Sequence, residues 1–183
     1  NDLHINNIMY ENTDKEYLYY KYNNIYYKVP TYGKIFKIID FGRAIFKYKN
    51  KVFMNDVFSK YGEAGGQYTY NSQVKYMKKN NKEYIKPNYN FDLCRLSMTI
   101  LDELNYHKDI DYDNKKYIID FIYSFTLGKN DCELYYLEDN FDMYVSIAKY
   151  ANNCLPINII QNDIFKEFRT KKKNFPKKIY YHF

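Results

Sequence analysis

The chain has 183 residues, 46% hydrophobic and 21% aromatic, which is enough to bury a core and too apolar for a disordered segment. Its formal charge is +6, from 28 Lys and Arg against 22 Asp and Glu. No apolar run approaches the roughly 20 residues of a membrane-spanning helix. The three cysteines, Cys94, Cys132 and Cys154, lie far apart and form no Cys-x-x-Cys pair, and an odd number with no visible targeting segment predicts free thiols in a reducing compartment.

Taken in chain order, the first half reads as strands and loops. Ile8-Met9-Tyr10 is a short apolar run. Tyr17 to Tyr22 and Ile25 to Val29 flank Asn23-Asn24, and Asn tolerates the positive φ of a two-residue hairpin turn. Pro30 ends the second strand. Lys34 to Ile39 is a further strand, stopped by Asp40-Phe41-Gly42. Ile45 to Tyr48 and Lys51 to Met54 flank Lys49-Asn50 and predict a second hairpin. Gly62, Gly65 and Gly66 mark a loop.

The second half reads as helical. Phe91, Cys94, Met98 and Leu101 keep a helical rhythm, and Leu93, Leu96, Ile100 and Leu104 widen it into a helix apolar on nearly all sides, with Asn90 or Asp92 as its cap. A second helix opens at Asp113 or Asn114, carries Tyr117, Ile118, Phe121, Ile122 and Phe125, and stops at Gly128. Phe141, Tyr144, Val145 and Ala148 predict a third. Pro156 opens a last helix carrying Ile160, Ile164, Phe165 and Phe168. No linker splits the chain, so one domain is expected over residues 1–183, with subdivisions at 1–54, 55–90 and 91–183.

Asn, Lys, Ile and Tyr recur everywhere, as AT-rich coding produces, so their abundance alone points to no partner. The densest basic run, Arg169 to Lys173 with Lys177 and Lys178, reads as a solvated tail. It comes with no nucleic-acid motif, so nucleic acid is not expected as a partner, and neither is a membrane.

Phosphoryl transfer asks little covalent chemistry of a protein. It needs an oriented hydroxyl, Mg²⁺ on the phosphates and a rigid frame. An Asp that orients the hydroxyl, an Asn five residues later and a second Asp opening Asp-Phe-Gly supply these parts. Asp2, Asn7 and Asp40 occur in that order, and Asp2-Leu3-His4-Ile5-Asn6-Asn7-Ile8 fits the spacing. The amide oxygen of Asn7 and the carboxylate of Asp40, on neighbouring loops beside β-runs, are the hard oxygen donors that Mg²⁺ prefers. His4 has no partners at metal-ligand spacing, since His107 and His182 lie far off and read as surface residues. Arg43 fits a contact with a phosphate or an acidic helix as well as it fits a solvent-facing side chain.

These residues resemble the protein-kinase superfamily, and within it the divergent haspin-like kinases and similar kinases of large DNA viruses. The narrower likeness rests on His4 in the loop and on the 33 residues from Asn7 to Asp40, longer than in ordinary kinases and filled by a hairpin. It rests also on Gly66-Gln67-Tyr68-Thr69-Tyr70 and Val74-Lys75-Tyr76-Met77-Lys78-Lys79, similar to the haspin activation segment, and on the lack of Ala-Pro-Glu. The resemblance covers residues 2 to about 105. It implies an α+β fold, the C-terminal lobe of a kinase, mainly helical with short β-hairpins near the catalytic loop. In it Asp2 is the catalytic Asp and His4 stands where Lys commonly contacts the γ-phosphate. Asn7 and Asp40 hold the metal, Phe41 and Gly42 complete the ATP-side motif, and Asp92 anchors the loop backbone. ATP and Mg²⁺ are the implied cofactors.

The implied activity is phosphoryl transfer to a Ser or Thr of a protein substrate, in the cytoplasm or nucleus of a host cell. The likeness departs at Asn1, which stands where an Arg usually reads a phosphorylated loop. It departs again in the chain's positive charge, which suits a basic peptide substrate poorly. No G-x-G-x-x-G and no strand Lys with its Glu occur, and the chain opens on Asn1 inside the catalytic loop. The expectation is therefore a C-lobe that lacks the N-terminal lobe of its parent chain and is inactive alone. Aminoglycoside and choline phosphotransferases share the Asp-Leu-His-x-x-Asn loop, so a small-molecule phosphotransferase is the rival enzyme. A pseudokinase scaffold is the non-enzymatic alternative.

Overall fold

A computed structural model describes residues 1–59, 61–68, 87–107, 112–135, 141–176 and 181–182. After a 3-10 turn at Ile5–Asn7 come strands β1 (Ile8–Asn12), β2 (Tyr17–Tyr22), β3 (Ile25–Pro30), β4 (Lys34–Ile38), β5 (Phe46–Tyr48) and β6 (Lys51–Phe53). Helices α1 (Phe91–Tyr106), α2 (Tyr112–Tyr123), α3 (Phe141–Tyr150) and the single turn α4 (Pro156–Ile159) follow, then the short strands β7 (Arg169–Thr170) and β8 (Tyr181–His182). The fold is α+β.

Both hairpins form where their turn residues direct. Asn23 and Asn24 take φ of 44° and 61°, and Lys49 and Asn50 take 46° and 62°. These left-handed pairs match the twist of the flanking strands, which two-residue loops need. Tyr17 lies opposite Pro30 and Tyr22 opposite Ile25, so Pro30 is the last residue of its strand. The strand before Asp40 pairs antiparallel with the strand after Asn7, Ile8 facing Ile38 and Asn12 facing Lys34.

The chain divides into two compact units that are discontinuous in sequence. One comprises residues 1–7 and 39–156, the other 8–38 and 157–183. These bounds differ from the subdivisions at 54/55 and 90/91 that the sequence suggests. The smaller unit has its own buried residues, Leu18 and Tyr27, and its own cover. There β7 joins β3 antiparallel, β8 joins β2 parallel, and the 3-10 turn Asp163–Phe168 packs against β3.

In the larger unit α1 packs against α2, α3 and the 3-10 turn Ser124–Thr126. Phe91, Cys94, Met98 and Leu101 are its buried stripe, whereas Leu93, Leu96, Ile100 and Leu104 are only partly covered. The helix is therefore amphipathic rather than apolar all round, and Arg95 and Ser97 are buried on it as well. A second cluster forms around Phe58 and Ala64, with Ile45, Met54, Val57 and Tyr68 packed on it.

The helix expected to run from Pro156 through Phe168 breaks after one turn. Asn162 turns its side-chain oxygen to the Ile164 N–H at 3.1 Å and starts a separate 3-10 turn, the competition with the backbone that Asn commonly offers. Asn90 occupies the N-cap position of α1 without capping it, because its side chain bonds Asn88 and the Cys154 N–H instead. The segments likened to a kinase activation loop at 69–70 and 74–79, like Lys177 and Lys178, lie outside the described residues. Among the described residues, no helix is long and apolar enough to cross a membrane.

Candidate functional site

The loop from Asn1 to Asn7 is held from beneath by α1. Asp92, in the first turn of that helix, accepts the Leu3 N–H at Oδ1 (3.2 Å), and its Oδ2 lies 3.2 Å from the Asn1 backbone nitrogen. Two turns further, Thr99 Oγ1 accepts the Ile5 N–H at 3.2 Å. Leu3 is buried at 6% exposure, so its N–H depends on Asp92 for a partner. Within the loop, Asn7 Nδ2 donates to the Asp2 carbonyl at 2.9 Å and the Asn7 N–H to the His4 carbonyl at 2.9 Å. The Asn7 carbonyl then accepts the Ile39 N–H at 2.9 Å, so the excursion through residues 8–38 leaves and rejoins this unit at adjacent points.

That closure sets Asp40 beside Asn7. Asp2, His4, Asn7, Asp40, Gly42 and Arg43 line one cavity of about 350 Å³ together with Asn55, Val57 and Glu63. Asp40 takes a left-handed φ of 55°, and its Oδ1 accepts the Gly42 N–H at 3.1 Å, a local turn that Asp tolerates better than most residues. Phe41 does not line the cavity and is 64% exposed. His107 lies on the surface, 3.6 Å from Glu103.

The sequence left the role of Arg43 open, and the structure gives it acidic partners. Its Nη1 donates to Asp2 Oδ2 at 3.1 Å and its Nη2 to Glu63 at 2.5 Å. Its guanidinium carbon lies 5.5 Å from the Tyr144 ring centroid, and that of buried Arg95 lies 5.2 Å from the same ring. Tyr144, Arg95 and Glu63 were absent from the sequence candidates. No spacing marks them, because α3 and the loop at 62–66 reach the site only through the packed fold.

The other Asp2 oxygen, Oδ1, is buried and has no hydrogen-bond partner among the described residues. Burial pushes the Asp2 carboxyl above its ordinary range despite the attraction of Arg43, His4 and Arg95, and Asp92 adds to the rise. Burial pulls the Arg43 guanidinium down, but the bond to Glu63 and the charge of Asp2 more than offset it, so its proton is held more firmly than usual. Cys94 and Cys154 are buried, and burial pushes Cys94 well above the thiol range and Cys154 up to about 12. Such thiols are inert as nucleophiles.

An orphaned buried carboxylate oxygen in a polar cavity is the kind of exception that calls for a proton donor or an ion. Among the described residues no group of three or more His, Cys, Asp and Glu is arranged around a metal. The cavity instead offers an amide oxygen, Asn7 Oδ1, and a carboxylate, Asp40. That small oxygen set suits Mg²⁺, which keeps several waters or phosphate oxygens. Comparison with family models, with curated proteins and with solved structures found no match to the chain.

Proposed function

We propose that this chain is the catalytic-loop part of a protein-kinase-like phosphotransferase, acting on a Ser or Thr hydroxyl of a protein. The observation that carries the reading is the joint lining of one cavity by Asp2, Asn7 and Asp40, on a loop whose backbone Asp92 ties down. ATP with Mg²⁺ would supply the electrophilic phosphoryl group and neutralise charge on its oxygens. Asn7 Oδ1 and the Asp40 carboxylate would hold the ion, while the bond from Asn7 Nδ2 to the Asp2 carbonyl keeps the amide in orientation. Asp2 would orient the acceptor hydroxyl and take its proton, a role that a raised carboxyl pKa suits. His4 would meet the phosphate side of the cavity. Residues 1–183 contain no Gly-rich phosphate loop, so turnover is expected only where further residues cover the nucleotide.

The test is ATP-dependent labelling of generic Ser/Thr peptides and of hydroxylated small molecules by the protein that carries this sequence, with and without Asp40→Asn. Peptide labelling that Asp40→Asn lowers by roughly 10³-fold or more supports the reading. Labelling confined to small molecules makes it a small-molecule phosphotransferase, and undiminished labelling by the variant refutes the assignment of Asp40.

A second reading, a non-catalytic scaffold, draws on Arg43, whose guanidinium occupies Asp2 Oδ2. It is favoured if Mg²⁺-ATP fails to raise the melting temperature.

A further inference from the structure

The positive charge of this chain is not spread evenly. Residues 8–38 and 157–183 hold twelve Lys and Arg against five Asp and Glu, a formal +7, while the larger unit holds sixteen against seventeen and is nearly neutral. The excess therefore belongs to the smaller unit, which carries the sheet β7-β3-β2-β8. The pairing register decides what that sheet presents.

Lys21 lies opposite Tyr26 and Tyr19 opposite Lys28, so these four side chains share one face of the hairpin, with Tyr17 two residues before Tyr19 on the same side. The opposite face carries Leu18 and Tyr27, which are buried. The presented face thus alternates aromatic and cationic side chains. Lys28 Nζ stands 3.6 Å from the Tyr17 ring centroid and Lys21 Nζ 5.8 Å from that of Tyr26.

The basic run at the far end of the chain is anchored to this same face. Thr170 pairs with Tyr26, and five residues later the Phe175 ring meets Tyr26 at 4.9 Å and Tyr19 at 5.6 Å, both edge to face. Lys171, Lys172 and Lys173 lie between the two anchors and are exposed. Of the five described acids in the unit, Glu11 pairs with Lys37 and Asp163 with Lys166. Among the described residues, Lys21, Lys28 and Lys171–Lys173 have no carboxylate partner. The sequence set this run aside as a tail, but the register turns it into one edge of an aromatic platform.

We infer that this face binds single-stranded nucleic acid. Unneutralised lysines would take the backbone phosphates and release their counterions, and tyrosine and phenylalanine rings beside them would contact unpaired bases. A duplex hides its bases and would engage only the lysines. An anionic membrane offers phosphates without flat rings for these aromatic side chains to meet.

The experiment is fluorescence anisotropy of the whole protein with a labelled oligothymidylate and oligouridylate, repeated across a salt series. Binding should weaken with salt at a log–log slope of roughly −2 to −4, as for about three to five neutralised phosphates. Lys171→Glu/Lys172→Glu/Lys173→Glu should weaken it by at least about tenfold, and Lys21→Gln/Lys28→Gln by several-fold. Lys49→Glu/Lys51→Glu/Lys129→Glu, an equal charge change on exposed residues of the other unit, should stay within about threefold. Circular dichroism checks that each variant folds. Equal loss in the control variant, tighter binding to duplex than to single strand, or binding to phosphatidylserine vesicles in place of oligonucleotides would each overturn the inference.

Discussion

Arg43 Nη1 lies 3.1 Å from Asp2 Oδ2, and the two side chains are 21% and 13% exposed. The pair joins the loop before β1 to the loop after β4, and Glu63 holds the other arm of the guanidinium. Replacing Arg43 by Met should therefore cost stability, because Asp2 keeps its burial and loses its nearest cation. A loss of about 1–3 kcal/mol in urea unfolding is expected, below the cost for a fully buried pair because the cavity admits water. No change would show that Asp2 is solvated through the cavity alone.

Asp2 also sets a pH signature. Its folded-state pKa is raised by burial, so the folded protein keeps this proton over a range where the unfolded chain, with a carboxyl near 3.8, has lost it. Across that window the unfolded state binds fewer protons and stability falls as pH rises, reaching its full deficit above the folded pKa. Asp2→Asn removes the effect. Its stability relative to the parent chain should be greater at pH 7 than at pH 3, where both versions are neutral at this position. Thermal melts at the two pH values check this, and a gap that shrinks from pH 3 to pH 7 would contradict it.

Asp92→Ala should leave the buried Leu3 N–H without a partner, at about 1–3 kcal/mol. Asp92→Asn keeps an oxygen for that N–H and should recover most of the loss. Hydrogen exchange at Leu3 is the direct reading: fast in the alanine variant and slow in the asparagine one.

Gly62 leaves no room for a side chain. A Cβ built there would lie 2.3 Å from the Val57 carbonyl oxygen, a backbone atom that cannot turn aside. Gly62→Ala should cost at least about 2 kcal/mol and disturb the cavity wall at Val57 and Glu63. Denaturant unfolding with a midpoint equal to that of the parent chain would refute the close approach.

Asn24→Gly should stabilise the β2–β3 hairpin by up to about 1 kcal/mol, since φ of 61° at the second turn position is strain-free for glycine. Slower exchange of the cross-strand amides would report it.

How much of this was legible beforehand differs by distance along the chain. Both hairpins were readable because Asn23-Asn24 and Lys49-Asn50 stand between β-rich runs, and turn chemistry is local. The three main helices were readable from their apolar rhythm. The last helix was misjudged because its spacing fitted while a single side chain, Asn162, competed for the backbone. The two-unit division left no trace in the sequence. It depends on which strand the chain's far end joins, and β7 is only two residues long.

The candidate site divides in the same way. Asp2, Asn7 and Asp40 could be named from order and spacing, because a short loop and an Asp-Phe-Gly are written in consecutive residues. Arg43, Glu63, Tyr144 and Arg95 could not, since they meet through contacts between segments far apart in the chain. The sequence by itself determined the hairpin turns, the helical stripes and the three oxygen-bearing residues, all of which rest on short-range geometry. Only the tertiary structure decided that a guanidinium covers Asp2 and that the basic run lies beside a row of tyrosines. Burial, charge pairing and strand register arise only when distant residues are brought together.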